Sequence, residues 1–144
     1  MEYIVIFAAL VFLIGSISFA IPSKSSRNLS KLRLESNKLG FKISSSSVGT
    51  NSFKKKDLNH MIYKIKNETN LKEAHFIRDK DELILYSPLK LKYSDSYDEV
   101  QKKVKNLPLS IDELVFSSSS ISFIWKENMG LDELKKINNL LKVF

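Results

Sequence analysis

Cysteine is missing from all 144 residues, and glycine, proline, histidine and tryptophan are scarce, at four, three, two and one. Without thiols the chain has no disulfide, no thiolate nucleophile and no cysteine-based metal site. Small exported domains commonly lean on disulfides, so their absence points towards a reducing compartment. The glycines (Gly15, Gly40, Gly49 and Gly130) fall in no GxGxxG or GxxxxGK[ST] pattern, which excludes a dedicated phosphate-cradling loop. His60 and His75 lie far apart with no HExxH spacing, so both are expected at ordinary sheet positions rather than as a metal-binding or catalytic pair. No serine sits in GxSxG, and the acids show no glycosidase-type pairing along the chain. No catalytic residue, no metal ligand and no cofactor is expected from such a composition.

What the chain does hold is one long apolar run. Tyr3 to Ile21 (YIVIFAALVFLIGSISFAI) carries no charge. As a helix rising about 1.5 Å per residue it would span roughly 28 Å, close to a hydrocarbon core. A buried core helix would show a polar face; here only Gly15, Ser16 and Ser18 interrupt, and serine hydroxyls can bond back into the helix. A signal peptide would need a positively charged start, which Met1-Glu2 lacks, although Ser18-Phe19-Ala20 has the small-x-small form of a cleavage site. A transmembrane helix is therefore expected over 1–22, with an exported domain cleaved near Ala20 as the alternative. The spacing of Gly15, Ser16 and Ser18 makes no GxxxG pairing motif.

Behind the run come Lys24, Arg27, Lys31, Arg33, Lys38 and Lys42, against the single acid Glu35. The positive-inside rule then leaves the N-terminus outside and the C-terminal part in the cytoplasm, on the inner face of a single-pass inner-membrane protein. The formal charge is +7, from 23 basic and 16 acidic residues. A solvated domain beside anionic headgroups accounts for that balance. Lipid contact is expected from Lys24, Arg27, Lys31 and Arg33, with the Lys54, Lys55 and Lys56 triplet second. Nucleic acid is not expected as a partner, because no recognition helix or aromatic-interleaved basic patch is evident.

The remaining ~120 residues suffice for one domain with a single core. Pro22 and the following serines break the span from a basic juxtamembrane helix over 23–40, capped by Ser26 or Asn28. Its Leu29, Leu32 and Leu39 share a face, Leu34 lies off it, and Gly40 stands where a left-handed C-terminal residue belongs. The stripe suits either the membrane surface or the domain, with the domain preferred. From 41 to 144 a small cytoplasmic α+β domain is expected. Phe41 and Ile43 alternate as a strand, and 44–56 reads as a loop. Strands follow at 60–66, 73–78 and 82–86, the last two joined by the polar turn Arg78-Asp79-Lys80-Asp81. Leu89 to Tyr93 continues in extended alternation.

Ser96-Tyr97-Asp98-Glu99 matches a capping box ahead of Val100, Val104 and Leu107, and Pro108 closes that short helix. Ser110-Ile111-Asp112-Glu113 suits one further capped turn. Leu114–Ser117 and Ile121–Lys126 then form a hairpin across the serine run Ser117–Ser120. A terminal helix from Leu131 carries Leu134, Ile137 and Leu141 on one stripe, with Asp132 and Glu133 at its positive end. Trp125 shares a strand face with Phe123 and Ile121 and is expected to pack in the core against this helix, leaving Ile124 and Lys126 outward. The result is an antiparallel sheet of five or six strands with a helix on one face. A strongly bent sheet closed by that helix, as in pleckstrin-homology-type barrels, is the alternative topology.

The layout resembles small single-span bacterial inner-membrane proteins. The matching features are the span, Pro22 with its basic stem, the Leu39-Gly40-Phe41 step, Leu107-Pro108 and Trp125-Lys126-Glu127. Some of these look like the YajC accessory subunit of the secretion translocon, although this chain lacks the glycine-rich turn after the stem and continues into a larger C-terminal part. The resemblance implies a role near membrane-protein assembly and carries over no functional residue. The expected function is that of a membrane-anchored interaction or scaffold module whose partners are the bilayer and another membrane or membrane-proximal protein. A membrane-associated enzyme with fold-assembled polar residues is the competing class.

Overall fold

The computed structural model describes residues 2–45 and 61–144. The expected loop beyond Ser45, the Lys54–Lys56 triplet, Gly49 and His60 lie outside the described residues. The chain divides into two compact units, Met1–Lys31 and Leu32–Phe144.

The first unit holds α1 (Glu2–Ala20), none of whose residues is buried. Ser16 and Ser18 donate their hydroxyls to the carbonyls of Phe12 and Ile14, one turn back, so neither interrupts the helix. By length and composition α1 qualifies as a membrane span, as a signal sequence also would. Helix α2 (Lys24–Lys38) begins two residues ahead of the earlier of the expected caps, Ser26. Its cap is Ser23, whose Oγ accepts the Ser26 amide at 3.2 Å.

The second unit takes over at Leu32, so the last two turns of α2 belong to it. Leu32 and Ser36 are buried there, and Leu34 is exposed, as the leucine stripe requires. Gly40 ends the helix with φ +92°. The Phe41 amide returns to the Ser36 carbonyl and the Gly40 amide to Asn37, which satisfies carbonyls the helix end would leave open. That tight reversal drops Phe41 into the core, edge-on to Tyr63 and Phe123.

Among the described residues six antiparallel strands follow: β1 (Lys42–Ser45), β2 (Met61–Lys66), β3 (Ala74–Asp79), β4 (Glu82–Ser87), β5 (Ile111–Phe116) and β6 (Ser120–Trp125). Their spatial order is β1-β2-β6-β5-β3-β4. The C-terminal β5–β6 hairpin is thus inserted between the β1–β2 and β3–β4 pairs. The fold is α+β; among the described residues the sheet is open, with β1 and β4 at its edges, rather than a closed barrel.

Three local expectations fail for identifiable reasons. Leu89–Tyr93 is a 3₁₀ helix, not an extended segment. Helix α3 (Tyr97–Lys105) is present, but Ser96 makes no side-chain cap bond because its own backbone is already helical. Ser110–Glu113 forms no helical turn; β5 starts at Ile111, and a bulge between Ile111 and Glu113 absorbs Asp112.

One face of the sheet carries Tyr63, Phe76, Leu114, Phe116, Ile121, Phe123 and Trp125, all buried. Helix α4 (Leu131–Leu141) contributes Leu134, Ile137 and Leu141 to the core, and Phe144 packs on Phe116. Trp125 stands edge-on to Tyr63, whose ring stacks on Phe123, so its core role holds. The opposite face is also buried at its centre. Ile124, expected outward beside Lys126, is only 1% exposed and clusters with Ile62 and Val115. Central strands buried on both faces lose the alternation of inside and outside that a one-sided sheet would show.

Candidate functional site

Two polar clusters form where the topology brings distant segments together. The first lies on the second face of the sheet. Glu113 of β5 pairs in register with Ile77 of β3, which places it diagonally across from His75. The His75 Nε2 lies 3.9 Å from a Glu113 carboxylate oxygen, too long for a hydrogen bond and within ion-pair range only for a protonated ring. Burial lowers the His75 pKa, so the imidazole is neutral at physiological pH. Glu113 is completely buried, at 0% exposure, in a row with Ile62 and Ile124. Burying a carboxyl this thoroughly is costly without specific polar company. Tyr86, the extra residue of a β3–β4 irregularity, sets its ring edge-on to His75 with centroids 5.1 Å apart.

His75 and Tyr86 line an open cleft of about 630 Å³ together with Lys72, Ser87, Val115 and Ser117. That volume suits a small ligand. Beside the cleft the β2–β3 connection is pinned by Asn67. Its side-chain amide donates to the Leu71 and Ser117 carbonyls, while its Oδ1 accepts the Thr69 amide and hydroxyl. A neutral histidine at the wall of a cleft can accept a proton, and the cleft supplies room for a substrate or for the side chain of a partner.

The second cluster joins α2 to the opposite face. Arg33 grips Glu127 through two parallel bonds of 2.9 Å, and the buried Tyr63 hydroxyl donates to the same carboxylate at 2.7 Å. Burial alone would raise the Glu127 pKa, but the bonds from Arg33 and Tyr63 and the Arg33 charge outweigh it, and the carboxyl sits below its ordinary value. Burial, then the bond to Glu127, raises the Tyr63 phenol. A bidentate guanidinium with a neighbouring phenol makes a rigid joint rather than reactive chemistry.

The residues expected at the lipid surface separate. Lys24, Arg27 and Lys31 are exposed. Arg33 is instead committed to Glu127 inside the second unit, because it points to the same side of α2 as Leu32 and Ser36. Lys54–Lys56 lie outside the described residues. The sequence marks Trp125-Lys126-Glu127 as a matching feature and Glu113 as the end of a capped turn, but it assigns neither acid to a site. Glu113 occupies the strand phase that alternation assigns to solvent, and nothing local reveals that this face is covered. Glu127 depends on a partner ninety-four positions away. Among the described residues no three of His, Asp and Glu converge as a metal site would need.

No protein-family model, no curated protein and no solved structure matches this chain. What it does must be argued from its own geometry.

Proposed function

We propose that the chain is a single-pass membrane-anchored interaction module, N-terminus outside, whose α+β domain works on the cytoplasmic side of an inner membrane. The observation that carries this reading is a 19-residue apolar helix with no buried residue. The exposed bases Lys24, Arg27 and Lys31 stand directly behind it. Such a helix is soluble in lipid and not in water, and the bases resist translocation. Tethering then acts by concentration: a domain confined near a membrane meets a membrane-proximal partner at far higher effective concentration than in bulk.

A reporter pair fused after Phe144, one enzyme active only outside and one fluorophore active only inside, tests the orientation. Fluorescence with no external activity is expected, in a fraction that resists carbonate washing. External activity, or a mature mass lacking the segment up to Ala20, would overturn the reading in favour of an exported domain. In-cell crosslinking from the domain should then yield a membrane or membrane-proximal neighbour, which a variant lacking α1 no longer captures.

One observation favours a second reading, a membrane-associated enzyme: His75, with the buried Glu113 behind it, lines a cleft of substrate size. Its signature would be a crosslinked or co-purified small molecule lost in His75→Ala and retained in Tyr86→Phe.

A further inference from the structure

We propose that the 3₁₀ helix Leu89–Tyr93, with the end of β4 before it, is a second membrane-contact surface that docks the domain on the headgroup region of anionic phospholipid. The inference rests on the membrane-anchored reading above and concerns a surface separate in sequence from the basic stem.

The segment Leu89-Lys90-Leu91-Lys92-Tyr93 alternates apolar and basic side chains. In a core element the apolar members would be hidden, yet none of the five is buried. Tyr93 is 89% exposed and Leu89 61%, with Lys90 and Lys92 exposed between them. Ile84 and Tyr86, just ahead in β4, are exposed as well. Among the described residues of the second unit eight large apolar side chains are exposed, and four of them fall within positions 84–93. Scattered exposed apolar residues are ordinary, but their concentration in one short stretch marks a surface with a partner.

Charge indicates the kind of partner. Between 84 and 105 the chain carries five lysines against three acids. Lys90 lies 3.8 Å from Glu73, but both side chains are largely exposed and water screens the pair. Glu99 is already paired with Lys103 at 2.7 Å. Exposed Leu and Tyr interleaved with Lys match the headgroup region, where rings and aliphatic stems sit at the apolar boundary and ammonium groups meet phosphates. Such a contact is weak by itself. It suffices for a domain that α1 already confines beside the bilayer.

The test exploits the absence of cysteine, which lets a single Ser96→Cys carry a spin label without competition. Ser96 is exposed, follows the surface closely and makes no cap bond. The full chain is placed in nanodiscs of phosphatidylcholine with phosphatidylglycerol, or of phosphatidylcholine alone. Asn139→Cys on α4 serves as an exposed reference, and Phe12→Cys reports the anchor. In anionic nanodiscs the ratio of oxygen to aqueous nickel-chelate collisions at Ser96 should exceed that at Asn139 by about threefold. It should fall in neutral nanodiscs, and to the Asn139 level when Leu89→Ser and Tyr93→Ser are combined. Both substituted residues are exposed, and unchanged Trp125 emission verifies the core. Equal ratios at Ser96 and Asn139 in anionic nanodiscs, with Phe12 in lipid, would overturn this inference and leave the anchor standing. Spin–spin broadening at Ser96 with no gain in oxygen collisions would overturn it in favour of a second copy as the partner. A Phe12 label accessible to water would overturn the anchor and this inference together.

Discussion

Removing the Glu127 carboxylate should weaken the domain by an amount that follows from its three bonds. Two go to Arg33, whose side chain is 32% exposed against 17% for Glu127. Solvent screens that pair, and ~1 kcal/mol is a fair upper figure for its contribution. The third comes from Tyr63, a fully buried residue, and stranding its hydroxyl costs about 1–2 kcal/mol. Glu127→Ala should therefore cost roughly 2–3 kcal/mol, a large share of the 5–15 kcal/mol typical of a domain. Glu127→Gln still offers Tyr63 an acceptor and should cost about 1 kcal/mol.

Trp125 is the sole tryptophan and is buried beside Tyr63, so its emission reports this region directly. In urea titrations of the full chain in detergent micelles, the Glu127→Ala midpoint should fall by about 1 M, given a slope of ~2 kcal/mol per M. Arg33→Met combined with Glu127→Ala should be less damaging than the sum of the two. The acid side has a defined sign. Because the folded Glu127 pKa lies below the ordinary 4.5, its contribution is complete above that value and drains away as pH falls through the folded value. Glu127→Gln should lose that part of the acid sensitivity. A Glu127→Ala midpoint within error of the parent, or strict additivity with Arg33→Met, would refute the joint.

Three further outcomes follow from the same structure. Gly40→Ala should cost about 1 kcal/mol through backbone strain alone, since φ is +92° and a Cβ there meets no atom within 4 Å; thermal unfolding measures it. Asn67→Asp, although isosteric, should cost about 3 kcal/mol, because an oxygen would then face the Leu71 and Ser117 carbonyls; denaturant titration checks it, and a neutral result would refute the bonding assigned to Asn67. His75 has a folded pKa below the ordinary 6.5, so it destabilises the fold as pH drops below 6.5 towards the folded value and is silent above. His75→Phe should flatten that segment of the stability–pH curve, and an unchanged slope would show that the proton goes elsewhere.

Local pattern carried much of the architecture. The apolar run, the leucine stripe ending at Gly40, the β3–β4 hairpin, the Ser117–Ser120 turn and the α4 stripe all express interactions within a few residues of one another. Helical and strand periodicities encode just such short-range geometry. Leu89–Tyr93 shows the limit of that logic, since alternation over five residues also suits a 3₁₀ helix.

By itself, then, the sequence determined an apolar N-terminal helix, a basic stem and an α+β domain, because each is written in neighbouring side chains. Only tertiary structure decided that the β5–β6 hairpin enters between the two earlier pairs, since strand order is a choice among non-local contacts that no single segment records. That choice buries Ile124, expected outward, together with Glu113, expected in a capped turn, and brings His75 to Glu113; the same tertiary packing sets Arg33 against Glu127. Each polar cluster joins residues tens of positions apart, and their partnership exists only once the core has folded around them.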